Sequence, residues 1–287
     1  MRITVACAQI APEKAQVETN LDKIADSTVQ AVSEGADLVV FPETATTAYF
    51  LEGGVVEAAI TGADLLAGLS RRLNGRLDRP VDAVVGFYES EGGNLYNSAG
   101  YLQLGKQENK VVHIYKKFFL PTYGVFDEER FVSRGHDLGV FDSRFGRLGI
   151  LICEDIWHSI LPTLTAVSGA QLIIVPSASP ARGFSGPTIG NLAHYERMIT
   201  EVSEEHGVYC ANCQLTGFEG GKGLVGGSAV SGPTGEILAR GPVGEEYLLL
   251  APVDFDQVVI ARAALPLLSD LQSAWQDLRR LVSGVEW

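Results

Sequence analysis

Three chemically active side chains stand where a short apolar run ends: Glu43, Lys117 and Cys153. A thiol is a strong nucleophile once ionised, a carboxylate can take its proton, and an ammonium can stabilise an oxyanion. Cys153 follows LGILI at 148–152, a run too short for an ordinary helix that reads as a buried strand, with the next turn leaving the sulfur accessible. Glu154 and Asp155 beside it would raise the pKa of a thiol, so a base and a cation have to come from elsewhere. FPE at 41–43 closes one apolar run with a carboxylate, and YKKFFLP at 115–121 places Lys117 after another. Singly, a free cysteine is a small hydrophobe and each charge a solvated loop residue. Together they form a base, a cation and a thiol at strand ends, where sites in α/β proteins collect.

These segments, in this order and with these flanks, resemble the nitrilase or carbon-nitrogen hydrolase superfamily, whose hallmark is a Glu-Lys-Cys triad. FPE carries over to Glu43, the Y-basic-K-x-x-L-P motif to Lys117 and C-E-D to Cys153. The likeness runs from TVACAQI at 4–10 to GGSAVSGPTGEILA at 226–239. LPTYGVFDEERF at 120–131 is most similar to the glutaminase domain of glutamine-dependent NAD synthetases, which implies that Glu128 is a supporting glutamate. The same likeness implies that Tyr123, Phe126, Glu154 and a serine of the PSASP segment, Ser177 or Ser179, line an amide pocket. An acidic Glu154 would suit a substrate's amino group.

What the resemblance implies for fold is an α/β, four-layer α-β-β-α sandwich of two mixed sheets. For function it implies an amidase or carbamoyl-amide hydrolase that acts on a small-molecule amide through a cysteine thioester and releases ammonia. The alternatives are a nitrile hydrolase, a glutaminase subunit that passes ammonia to a separate synthetase, and an inactive scaffold of the same fold. Covalent and acid-base steps of this kind need neither a metal nor an organic cofactor. The sequence holds no G-K-[ST] phosphate loop, so no ATP-dependent synthetase domain is expected within it.

Composition narrows the partners. A formal net charge of −13 argues against nucleic acid and against an anionic membrane surface. The four cysteines have no disulfide spacing and the N-terminus is strand-like rather than a signal peptide, so a reducing cytoplasm is the expected compartment. No acidic residue, Lys or Arg occurs from 158 to 181, yet Ser159, Pro162, Thr163 and Ser168 lie within that run. A helix ending near 167 and a strand at 171–175 account for it without a membrane span. Cys210 and Cys213 would point to opposite faces of a strand, which disfavours zinc. His158 is a rival base for Cys153, but its spacing turns it elsewhere. Gly220, Gly221, Gly223, Gly226 and Gly227 read as a mobile surface loop before a strand.

The positioning elements can be read in order. A strand at 3–9 leads to a helix capped by Asn20, with Leu21, Ile24, Thr28, Ala31 and Val32 at helical spacing and Gly35 as its stop. A strand at 37–41, a helix at 64–73, a strand at 83–88 and an antiparallel pair at 97–103 and 110–115 follow. The second half repeats the plan, with a strand at 148–152, a helix at 160–167, a strand at 171–175, a helix at 190–206 stopped by Gly207, and a strand at 208–214. A hairpin at 226–231 and 236–240 and a last strand at 247–253 close a single domain, 1–255. The tail, 256–287, carries Val258, Ile260, Leu265, Leu267, Leu268, Leu271, Trp275, Leu278, Leu281, Val282 and Trp287, and Pro266 breaks any single helix there. That is too apolar for solvent, and the resemblance implies a homo-oligomer, a two-fold dimer at least, with the tail at the contact.

Overall fold

In the computed structural model, which describes residues 1–106 and 109–285, the apolar runs form two six-stranded mixed sheets. The first half contributes β1 (Arg2–Gln9), α1 (Val17–Ser33), β2 (Leu38–Val40), α2 (Val55–Ala58), α3 (Gly62–Leu73), β3 (Val81–Glu91), β4 (Asn94–Leu104) and β5 (Lys110–Lys116). The second contributes β6 (Val140–Ser143), β7 (Gly146–Ile150), α4 (Ile160–Val167), β8 (Leu172–Ser177), the small hairpin β9 (Phe184–Ser185) and β10 (Thr188–Ile189), α5 (Gly190–His206) and β11 (Tyr209–Gln214). After them come β12 (Thr216–Glu219), β13 (Lys222–Val225), β14 (Ala229–Ser231), β15 (Ile237–Arg240), β16 (Tyr247–Asp254), α6 (Phe255–Ala264), α7 (Leu267–Ser273) and α8 (Trp275–Ser283).

The sheets run β16-β1-β2-β3-β4-β5 and β15-β14-β11-β8-β7-β6, each with a parallel centre and antiparallel edges. The two-residue period of β1 sorts the layers. Val5 and Cys7 enter the core between the sheets, with Leu148, Ile150, Ile174 and Cys213. Ala6 and Ala8 face the other way, toward Leu21 and Ile24 of α1 and Leu65 and Leu69 of α3. On the far side, the core continues past β8 and β11 to Leu161 of α4 and Ile199 of α5. This is the expected sandwich, helices outside two sheets. Cys210 and Cys213 do take opposite faces of β11: Cys213 donates to Ala8 O on the other sheet, while Cys210 lies against Ser203 of α5.

Three local expectations are corrected. Asn20 does not cap α1, which already begins at Val17; its buried amide donates to Glu13 O and Thr46 O, tying the helix to the loop after Glu43. The glycine-rich stretch is the hairpin β12–β13, turned at Gly220 and Gly221 with φ of 55° and 80°. Its strands are short and carry glycines, so they lack an alternating signal. β7 stops at Ile150, and Leu151 leaves the β7–β8 ladder with its N–H still on Ile174 O, starting the turn that delivers Cys153. Gly207, by contrast, ends α5 in the left-handed region with φ of 57°, and a Cβ there would stand 2.7 Å from Arg262 Cγ. Among the described residues no helix is long and apolar enough to cross a membrane.

Candidate active site

The loops leaving β2, β5 and β7 converge. Lys117 Nζ lies 2.7 Å from Glu43 Oε1 and 2.7 Å from Glu128 Oε2, with the side chains of Lys117 and Glu43 fully buried. Ala178 N–H, in the loop after β8, donates to Glu43 Oε2 at 2.9 Å. The Cys153 thiol is near enough to feel both Glu43 and Lys117: burial pushes its pKa up, Glu43 adds to the rise and Lys117 opposes it. Burial alone would lower the pKa of Lys117, but Glu128 and Glu43 outweigh it and hold the ammonium protonated. Glu128 is pushed up by burial, with Lys117 pulling against that rise. Cys153, expected at an accessible strand tip, is buried, with 7% of the residue exposed.

Several residues that complete this cluster were not among the sequence candidates. Asn97, in β4, donates from Nδ2 to Glu43 Oε1 at 2.8 Å and also to Glu128 Oε1, and its carbonyl accepts Lys117 N–H. One amide thus spaces the two carboxylates around the ammonium. Its signal in sequence is slight, one of several polar residues along β4. Tyr195, in α5, places its hydroxyl 3.1 Å from Cys153 Sγ. Asp155 is fully buried; Oδ1 accepts Phe118 N–H and Phe119 N–H, and Oδ2 accepts Ile152 N–H and the Tyr115 hydroxyl. It therefore ties the turn that carries Cys153 to the loop that carries Lys117. Cys153 itself has φ of 50°, a left-handed conformation that costs about 1–2 kcal/mol for a residue with a Cβ and that the surrounding bonds must hold.

The pocket residues implied by the resemblance fall into two groups. Tyr123 donates to Glu154 Oε2 at 2.8 Å, and Phe126 packs edge-on to Tyr49 and Tyr123. A cavity of about 410 Å³ opens beside Phe126, lined also by Tyr49, Phe50, Tyr88, Glu128 and Phe131 but not by Tyr123 or Glu154. Ser177 and Ser179 are both buried, but Ser177 Oγ is taken up by Asn212 Nδ2 at 2.9 Å, inside the second sheet. Of that segment, the backbone of Ala178 makes the contact to Glu43. His158 stacks on Phe119 with ring centroids 3.7 Å apart, and its Nε2 lies 3.7 Å from Glu154 Oε1. Arg182, absent from the sequence candidates, lies over the rings of Tyr123, Phe126 and Trp157.

Comparison with known proteins bears on the family and the fold. The family profile described as carbon-nitrogen hydrolase matches residues 4–263. The glutamine-dependent NAD(+) synthetase of Acinetobacter baylyi is 28% identical over 263 residues, which are 88% of this chain and 44% of that protein. The chain therefore spans about half the length, or somewhat less, of such relatives. The structure of the glutamine-dependent NAD+ synthetase of Acinetobacter baumannii superposes with a TM-score of 0.77 at 28% identity, covering 90% of this chain and 47% of that one. An amidase from Nesterenkonia sp. superposes with a TM-score of 0.72 at 27% identity, covering 92% of this chain and 94% of that one. A double mutant of that amidase, 26% identical with a TM-score of 0.72 and covering 92% of this chain and 95% of that one, is in complex with acrylamide. With the profile spanning nearly the whole chain and the same fold in relatives above a quarter identity, the protein belongs to the carbon-nitrogen hydrolase family of the nitrilase superfamily.

Proposed function

We propose that the protein is an amidase that hydrolyses a small amide through a thioester on Cys153. The observation that carries this reading is the buried Lys117 ammonium held 2.7 Å from Glu43 at the side of a buried thiol. Glu43 takes the thiol proton as sulfur attacks the carbonyl carbon. The oxyanion is stabilised by Lys117 and by the backbone N–H that follows Cys153. Glu43 then returns the proton to the leaving nitrogen, the C–N bond breaks, and ammonia departs. Water, deprotonated by the same Glu43, adds to the thioester; the C–S bond breaks, and the acid and the thiol are regenerated. Glu128 holds the second side of the ammonium, so Lys117 stays charged without being drawn wholly to the base.

The cavity meets the charged cluster at Glu128, which also pairs with Lys117. Its wall is aromatic at Tyr49, Phe50, Tyr88, Phe126 and Phe131 and charged at Glu52, Asp127, Glu128 and Arg130, and a double mutant of the amidase neighbour is in complex with acrylamide. A second reading, hydrolysis of the glutamine side-chain amide, is favoured by the likeness to glutamine-dependent enzymes and by the acidic Glu154 on the turn of Cys153, whose carboxylate accepts from the Tyr123 hydroxyl. One experiment separates these. The protein is incubated with acetamide, propionamide, acrylamide, glutamine and the matching nitriles while ammonia is assayed and the mass on Cys153 is followed. Ammonia from the short amides, with an acyl adduct on Cys153, is the expected result. Release from glutamine alone selects the second reading, release from nitriles alone a nitrile hydrolase, and no release with no adduct an inactive scaffold.

A further inference from the structure

The triad leaves one problem of the nucleophile open. The sulfur is buried next to a carboxylate, and both burial and Glu43 disfavour the thiolate. The cation that should offset this, Lys117, is already shared between Glu43 and Glu128. Charged and titratable groups reach the sulfur from three elements: Glu43 after β2, Lys117 after β5 and Tyr195 on α5, with the N–H of Ala178 after β8 as a further dipole. Glu154 and Asp155, on the turn of Cys153 itself, are engaged by Tyr123 and by the Phe118–Phe119 backbone.

From this geometry we infer that Tyr195 is a further catalytic residue, whose hydroxyl donates to the Cys153 sulfur and stabilises it as a thiolate both before attack and when it leaves the acyl group. The contact is 3.1 Å between two buried side chains, and Tyr195 is 1% exposed, so water does not compete for it. The ring is held edge-on to Trp157 at 5.4 Å, which fixes where the hydroxyl points. Burial and the neighbouring sulfur push the phenol's own pKa well up, so the proton stays on oxygen and the phenol acts as the donor. A thiolate can only accept, so the bond is strongest in the ionised state and weakens as the sulfur lone pair enters the new C–S bond.

The size of the effect follows from how nucleophilicity tracks basicity. A drop of about one unit in thiol pKa raises the thiolate population about tenfold at a pH below it, and costs about threefold in intrinsic nucleophilicity, a net gain of about threefold. In the second half-reaction the same bond favours expulsion of sulfur, where a lower thiol pKa helps outright.

The inference rests on Cys153 being the nucleophile, and the test keeps the two apart. Iodoacetamide, itself a small amide, is reacted with the full-length protein, Tyr195→Phe and Met198→Leu from pH 6 to 10, with the adduct located by mass. Met198 lies on the same helix and packs in the core, so it controls for loosened packing. Expected are labelling of Cys153 in the parent that rises with pH across the scan, labelling about threefold slower throughout it in Tyr195→Phe, and a parent-like profile for Met198→Leu. With a small amide substrate, kcat should fall in Tyr195→Phe while KM stays within twofold. A Tyr195→Phe profile that overlays the parent's, or an equal slowing in Met198→Leu, overturns the inference while leaving Cys153 as nucleophile. No labelling of Cys153 in the parent overturns both.

Discussion

Lys117 is an ammonium with no exposed surface, and its two carboxylate partners are nearly as buried. Removing one member of such a cluster leaves charges without water or partner, at a cost of about 3–5 kcal/mol. Lys117→Ala should therefore lose stability and, under the proposed mechanism, a hundredfold or more in kcat. Lys116 is the control: it pairs with Glu91 near the surface, and Lys116→Ala should change kcat by less than twofold in the same ammonia assay. Cys153→Ala removes the sulfur and should abolish ammonia release with the fold retained and a modestly lower urea midpoint, because the buried Tyr195 hydroxyl loses that partner. The backbone there is left-handed for cysteine and alanine alike, so neither gains over the other. Turnover retained in that variant would exclude a covalent path.

At the scale of elements, the site depends on two buried carboxylates that hold backbone. Asp155 joins the turn after β7 to the loop after β5, and burial raises its pKa from 3.8 to about 7 against the pull of the N–H groups it accepts. A carboxyl with a folded pKa above its unfolded one takes up a proton on folding, so its stabilising contribution is whole below about pH 4 and is lost as pH rises through about 7. Urea midpoints of the parent should thus decline more steeply between pH 5 and 8 than those of Asp155→Asn, and parallel curves would refute this. Glu219, on β12, accepts the N–H groups of Tyr49 and Phe50 and fixes the cavity wall to the β12–β13 hairpin. Glu219→Ala should raise KM several-fold more than it lowers kcat, since it loosens the wall and leaves the triad contacts in place. Steady-state kinetics on the best amide of the panel will read this.

For the molecule as a whole, the tail is the surface that its own domain leaves unfinished. Pro266 separates α6 from α7 as expected, and Val258 and Leu268 enter the central core. Yet Val259, Ile260, Leu265, Leu267, Leu281, Val282 and Val285 remain exposed, and no residue of α8 is buried. Trp287 lies outside the described residues. Cutting the chain after Arg262 would remove Leu268 from the core, so it tests folding together with assembly. Substituting Leu281→Glu and Val282→Glu together touches only exposed positions. If the tail joins two copies, light scattering at micromolar concentration should give twice the chain mass for the parent and a single chain mass for the double variant. A monomeric parent, or an unchanged dimer in the variant, would refute the contact.

The sequence by itself determined what depends on neighbours along the chain. Helices α4 and α5 match their expected spans, because apolar spacing and a terminal glycine such as Gly207 act within a few residues. Glu43, Lys117 and Cys153 were legible as a set, because each follows a short apolar run that had to be a strand. Tertiary structure alone decided which groups surround them. Asn97 and Glu43 are 54 positions apart, and Tyr195 and Cys153 are 42 apart, so no local pattern connects them. Asn20 shows the reason most directly. Its local setting suits a cap, but packing buries its amide, and a buried amide must bond to whatever the fold brings near, here the carbonyl of Thr46.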